Sequence, residues 1–397
     1  MITIISVIYF IYVLVKIYIS VMEIGFVSRA KNEKAVILSD QNYKKAAEYK
    51  IKSERLSILT SLADYAIFLF WIGFGLRYLE SIISIEDMAL KSVVFVLLFI
   101  AINFLFSLGF DIYKTFVLDK KFGFSNMDTK LFLHDLLKSS ILFIIFGSLV
   151  TWIVSKIILS FDTWWIYGFI FVFLVILVIN VIYPTLIAPI FNKFKVLDND
   201  ELKEAIEKLF NQVGLKSSGV FTIDASKRDN RLNAYFGGLG KTKRVVLFDT
   251  LVQKLTKSEL LAVLGHELGH FKHKDILKSI ATMSFMLFVM FYIFGNLPTS
   301  LFEAVGVSNE PYMIIAFFMI FSPILSFFMM PLFGLISRAN EYNADEFGAK
   351  CESKEALISA LKKLANENKS FPLSHPLNIF FYHTHPPLAQ RLKRLQE

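Results

Sequence analysis

Seven stretches of almost unbroken apolar residues punctuate the chain, near 2–22, 61–79, 92–110, 140–160, 165–187, 277–297 and 312–336. A helix needs about 20 residues to cross the hydrocarbon of a bilayer, and runs of about 18 or more read as spans. The pattern therefore predicts seven membrane-crossing helices. Pro184 and Pro189 near the end of the fifth run, and Pro323 and Pro331 in the seventh, predict kinks or early termination. The first run lacks a basic segment ahead of it and an A-x-A site behind it, so it reads as a retained span rather than a cleaved leader. Composition agrees. The 397 residues are 55% apolar, with 42 Phe and a mean hydropathy of +0.55, more than the cores of a soluble protein this size can hide. A single cysteine, Cys351, excludes an intramolecular disulfide framework.

Charge then gives the chain an orientation. Lys and Arg number 8 in 26–56, 5 in 113–139, 15 in 191–276 and 9 in 338–397, which is 37 of the 42. Seven spans place all four segments on one face. The opposite connections near 80–90, 161–164 and 298–311 hold none. The positive-inside rule makes the loaded face cytoplasmic and puts the N-terminus outside. The net charge of +8 is thus a mark of topology, and no nucleic-acid partner is expected. Lys16 and Arg77 are expected to snorkel from span ends, and Asn103, Asn180 and Asp64 must find partners or water.

Between the fifth and sixth runs, 191–276 has the composition of a small globular unit. An amphipathic helix is predicted from Asp200 to about Gln212, with Leu202, Ile206, Leu209 and Phe210 on one face and Gly214 as its C′ residue. Strands are predicted at 220–224, 233–236 and 245–248, the last two joined through Gly237-Gly238-Leu239-Gly240. Thr256 and Glu259 form the signature of a capping box that opens the next helix.

That helix carries the chemistry. His266-Glu267-Leu268-Gly269-His270 is an H-E-x-x-H pattern. On a helix the two imidazoles share a face and can reach one ion, with Glu267 beside them as general base. Zinc fits such a pair, given a third protein ligand and an open position. With so few histidines, a chance match somewhere in the chain is expected only about 0.5% of the time. A third histidine ten residues past the first would make the chain a metzincin, but position 276 is Ile. The alternative is a carboxylate from a later helix. Glu341, with Asp345 one turn on, meets the need. Two apolar runs separate His270 from Glu341, so the chain returns to the face it left. An odd number would have made the site topologically impossible. His273 reads as solvated or as a support for the ligands, and a separate metal site at His375, His383 and His385 is not expected.

At these residues the chain resembles the Ste24-type CAAX prenyl proteases, the membrane-integral branch of the M48 zinc metallopeptidases. The resemblance extends to Asn233-Ala234-Tyr235-Phe236 leading into Arg244–Thr250, Tyr113–Phe116 with Phe122-Gly123-Phe124, Tyr183-Pro184 with Ala188–Phe191, and His385-Pro386-Pro387 with Arg391. It implies a predominantly α-helical integral membrane protein. Seven transmembrane helices would enclose a water-filled chamber, and a cytoplasmic gluzincin-type metallopeptidase domain would contain a small β-sheet. The corresponding divisions are 1–190, 191–276, 277–337 and 338–397. It further implies one Zn2+ per chain on His266, His270 and Glu341, with Glu267 as general base and acid. Asp345 would orient a ligating histidine, and His385 and Arg391 would steady the oxyanion or the ligand shell. Asn233, Ala234 and Tyr235 would belong to an edge strand that pairs with an extended substrate, and Pro387 would be the first residue of the last helix.

The expected partners are a peptide or prenylated-protein substrate, cleaved of its last three residues, and the lipid membrane. The protein is expected to act as a monomer. A membrane-protein quality-control protease of the shorter HtpX type stays open as an alternative, as does a transporter or pore with structural zinc. The short outward loops and a C-terminus without a lysine-based retrieval signal suit a bacterial inner membrane, or the endoplasmic reticulum in a eukaryotic host.

Overall fold

The structure, a computed structural model, describes residues 2–214, 219–237 and 244–397. Seven helices are long and apolar enough to cross a membrane: α1 (Ile2–Ala30), α2 (Asp40–Ile82), α3 (Met88–Lys121), α4 (Thr129–Ser160), α5 (Trp164–Phe191), α8 (Asp275–Gly295) and α9 (Pro311–Cys351). Side-chain oxygens of Ser39, Asp87 and Asp128 accept from the first turns of α2, α3 and α4, giving those helices sharp starts. Within α2, α3 and α5 the turn widens to i→i+5 spacing at Trp71–Gly75, Tyr113–Leu118 and Tyr183–Ile187.

The helices pack in sequence order from α1 to α5; α8 then packs on α5, and α9 closes against both α8 and α3. Their shared core is aromatic. Tyr9 stacks on Phe68 at 3.9 Å, Tyr12 meets Phe327 edge-on, and Phe95 meets Tyr312. Leu105, Ile145 and Leu186 leave apolar side chains bare on the flanks, as a membrane protein can.

Three expectations change here. The seventh helix continues through Pro323 and Pro331 and past residue 337, so neither proline terminates it and the last span and the Glu341 segment belong to one helix. The fifth also continues past Pro184, through its wide turn, to Phe191. Lys16 does not snorkel. Its ammonium lies 3.7 Å from Asp64 of α2 and above the Tyr12 ring. Asn103 finds a partner across helices, accepting from the Trp71 indole at 3.1 Å.

The extramembrane unit begins with strand β1 (Phe194–Val196), a strand too short to announce itself in the sequence. Helix α6 (Asp200–Gln212) follows, then β2 (Val220–Ile223), β3 (Ala234–Gly237) and β4 (Arg244–Phe248). The sheet order is β1-β2-β4-β3, with β2 and β4 parallel and both outer pairs antiparallel. β3 is therefore an edge strand. The Gly238–Gly240 part of the predicted turn lies outside the described residues. Leu202, Ile206, Leu209 and Phe210 are all buried, as their spacing predicts, and Gly214 takes the left-handed φ of +68° that a C′ glycine permits.

Helix α7 (Lys257–Lys272) lies between the sheet unit and the membrane helix α9. Thr256 and Glu259 make the full capping box. Glu259 also accepts from Ser359 and Lys363 of α10 (Lys354–Glu367), which locks the two helices together. Helices α11 (Pro376–Tyr382) and α12 (Leu388–Gln396) complete the chain, with Pro387 at the N-cap of α12, one position earlier than expected.

Candidate metal centre

Helix α7 has two different faces. Leu260, Leu264 and Leu268, four apart, bury themselves with Leu202, Ile206, Val245 and Leu247 of α6 and the sheet. The face toward α9 carries Gly265 and Gly269 alongside the two histidines. A Cβ on Gly269 would lie 2.8 Å from the Ala344 Cα of α9, and one on Gly348 of α9 would lie 2.7 Å from the His266 backbone nitrogen. Glycine at both places lets the two helix backbones come together, which brings the imidazoles of one to the carboxylates of the other.

At the crossing, His266 Nε2 lies 3.6 Å from Glu341 Oε2, and His270 Nε2 lies 3.2 Å from Glu341 Oε1. The ligand atoms of these three residues all fall within 4.8 Å of one another. Both rings are held from behind by a carboxylate. His270 Nδ1 is 3.0 Å from Asp275 Oδ2, and Lys278 in turn donates to Asp275 Oδ1 at 2.7 Å. His266 Nδ1 is 2.9 Å from Asp345 Oδ1, though bent away from hydrogen-bond alignment. Carboxylates on the Nδ1 side leave Nε2 of each ring as the lone pair that faces Glu341.

One atom shows what the arrangement suits. Glu341 Oε2 is buried with no hydrogen-bond donor among the described residues. An orphaned oxygen beside His266, in a carboxylate whose other oxygen meets His270, is costly unless a cation sits there. Two nitrogens and one oxygen, with an open side, are the donor set of a catalytic zinc. Burial alone would lower the pKa of His270, but its hydrogen bonds to Glu341 and Asp275 outweigh burial and raise it to about 9.

The remaining sequence-predicted residues surround this centre. His385, in the short connection between α11 and α12, places Nε2 at 3.3 Å from Glu341 Oε1 while its ring stays open to the cleft. Arg391 of α12 makes a two-pronged hydrogen bond to Asp345, at 2.8 and 2.5 Å, and lies 3.7 Å from Glu341 Oε2. Its guanidinium is thereby paired with Asp345 while it also lines the smaller of the cavities at the centre. Two cavities meet at Glu267, which lines both. The larger, about 760 Å³, is walled by Tyr235 and Phe236 on one side and by Met283, Met286, Met290 and Met330 on the other. The smaller, about 210 Å³, is lined by Asn233, Ala234, His266, His385 and Arg391, with Val263, Leu357 and Leu361 beneath. The start of β3 thus faces the small pocket and its middle the large one. The Asn233 side chain accepts from the Ala234 N–H.

Sequence reasoning missed Asp275, whose signal was available as an acid nine residues past His266. It also missed the glycines, which have no side chain to betray a contact. His273 packs beside Phe347, away from the centre. Among the described residues no second metal-holding group appears; His383 and His375 belong to a hydrogen-bonded network around Ser374 and Glu23.

A metal-holding H-E-x-x-H helix and a span-borne glutamate, set among seven apolar helices, define a membrane-embedded metallopeptidase. The comparisons make the class specific. Residues 196–397 match the model of peptidase family M48, and 28–193 match "CAAX prenyl protease N-terminal, five membrane helices". The chain is 33% identical to CAAX prenyl protease 1 homolog of Dictyostelium discoideum, covering 90% of this chain and 85% of that one. To CAAX prenyl protease 1 of Saccharomyces cerevisiae it is 32% identical, with 90% and 86% covered. The crystal structure of S. mikatae Ste24p superposes with a TM-score of 0.91 at 30% identity, over 99% of this chain and 98% of that chain. The chain belongs to peptidase family M48, in its Ste24 branch of multi-pass membrane metalloproteases.

Proposed function

We propose that the ion is Zn2+, one per chain, on His266, His270 and Glu341, and that the substrate is a prenylated CAAX-type C-terminus losing its last three residues. The observation that carries this reading is the buried Glu341 carboxylate, which meets His266 and His270 and has one oxygen without a hydrogen-bond donor among the described residues, beside a large apolar cavity and a small pocket that those histidines line. When bound, zinc polarises the scissile carbonyl and makes water a nucleophile near neutral pH. Glu267 takes the proton from that water and hands it to the departing amine nitrogen. His385, open to the cleft beside Glu341, stabilises the oxyanion. Asp275 and Asp345 hold the imidazoles, and Arg391 neutralises Asp345.

The exposed edge of β3 receives the substrate as an added strand. Its antiparallel direction follows from the cavities. The methionine-lined cavity at Tyr235 and Phe236 falls within the roughly 300–1,000 Å³ range of pockets that hold apolar ligands, and it suits the prenyl chain on the upstream side. The tripeptide then points toward Asn233 and the small pocket. The three ligands and the base lie on one chain, so the proposed reaction calls for no residue from a second copy, and action as a monomer is part of the proposal. The Lys- and Arg-rich face that holds the centre supports a cytoplasmic site, in a bacterial inner membrane or, in a eukaryotic host, the endoplasmic reticulum. The test is zinc-dependent cleavage by the purified protein of a farnesylated CAAX peptide against its unfarnesylated twin. The farnesylated peptide should be strongly preferred. Equal rates would remove the prenyl group from the reading.

A further inference from the structure

A buried polar knot lies where the first membrane helix meets the C-terminal arm. Glu23 of α1 is fully buried, a costly place for a carboxylate unless its oxygens are occupied. Oε1 accepts from the Ser374 hydroxyl at 2.9 Å, and Oε2 accepts from the His375 backbone N–H at 2.7 Å. Lys50 of α2 lies 3.6 Å from Oε1. Ser374 is also 3.3 Å from Asn378 Oδ1 and from His383 Nε2, which themselves meet at 3.0 Å.

The opposite side of the arm is held by α9. Arg338 donates Nη1 to the carbonyls of Ile379 and His383, at 3.0 and 2.6 Å. Gly334 makes room for this, since a Cβ there would fall 2.7 Å from that guanidinium nitrogen and 3.1 Å from the His383 oxygen. Phe381 stacks on Phe327 between these bonds, 4.7 Å centre to centre. All of these contacts grip residues 374–383. Two residues further on, His385 reaches Glu341.

We propose that Glu23 is a positioning residue of the active site: by holding Ser374 and the His375 N–H, it fixes the arm that carries His385 over the metal ligands. This rests on the role given to His385 above. The helix at the start of the arm has seven residues and could not hold a fixed course alone. Its anchors are on membrane helices, so the membrane domain sets where His385 stands.

The test is a double-mutant cycle on the purified full-length protein, zinc-loaded, with a farnesylated CAAX peptide. His385→Ala should lower kcat about 100-fold, as loss of an oxyanion donor does. Glu23→Ala should lower kcat about 10- to 100-fold with KM little changed, because a misplacement near 1 Å can cost about 100-fold. Combined with His385→Ala it should add no more than ~2-fold, since coupled residues are not additive. Should Glu23→Ala fail to fold, Glu23→Gln, which keeps one acceptor oxygen, and Ser374→Ala carry the same cycle with smaller losses. Multiplicative losses in the double variant, or native kcat in Glu23→Ala beside an impaired His385→Ala, would overturn the proposal alone. Native kcat in His385→Ala would instead overturn the His385 reading beneath it.

Discussion

Replacing Gly348 with alanine should disable the metal centre although Gly348 touches no ligand atom. The added Cβ would meet the His266 nitrogen at 2.7 Å, the Ala262 oxygen at 2.9 Å and the His266 Cα at 3.0 Å. All three are backbone atoms of α7, so no side chain can swing aside. Ordinary contact for such atoms begins near 3.5 Å, and α7 and α9 must part by about 0.5–0.8 Å. His266 lies on one helix, Glu341 and Asp345 on the other, so their spacing inherits the whole displacement. Metal sites tolerate about 0.2 Å in ligand distance. Zinc affinity should fall about 10- to 100-fold, the usual cost of losing proper support for a ligand. Folding stability should fall by about 1–3 kcal/mol, as for overpacked cores. Competition with a chromophoric chelator reads the first and thermal unfolding in detergent the second. Gly109→Ala is the control, because its Cβ would meet nothing within 4 Å. Zinc affinity within twofold of the native protein in Gly348→Ala would refute the account of how the two helices meet.

Asp275→Asn should weaken zinc binding by roughly tenfold, because His270 loses the charge that orients its ring and raises its basicity; chelator competition checks this, and unchanged affinity would count against it. Zinc uptake should also depend on pH. In the metal-free protein His270, raised to about 9 by Glu341 and Asp275, carries a proton at neutral pH that the ion must expel. Affinity should therefore climb as pH rises and level off above about 9, and calorimetry in buffers of different ionisation enthalpy should show close to one proton released per zinc at pH 7.5.

What could be read in advance followed from strong, local constraints. Seven long apolar runs leave a chain few choices other than crossing a membrane, and the runs became the seven long helices. His266 and His270 share a helix face by spacing alone, and the parity of spans placed Glu341 on their side. Thr256 and Glu259 announced the capping box because that motif is closed within four residues. What escaped notice depends on contacts between distant elements. Gly265, Gly269 and Gly348 matter because two backbones approach, which no local pattern records. The pairing of Arg391 with Asp345, far off in sequence, is likewise invisible to any local pattern. Pro323 and Pro331 sit inside a continuous helix because neighbours in a membrane bundle can re-satisfy the backbone groups a proline frees. Glu23 looked like an ordinary acid at the end of a span until the arm from residue 374 folded over it.

Peptide-bond cleavage by this family member should depend on Glu267 as the base beside a metal held by His266, His270 and Glu341. Glu267→Gln tests it most directly, because the exchange keeps size and removes only the basic oxygen. The variant should bind one zinc per chain, as the native protein does, and cleave a farnesylated CAAX peptide at least ~1,000-fold more slowly. Cleavage at the native rate with zinc content unchanged would contradict the mechanism and favour a protein in which the ion is only structural.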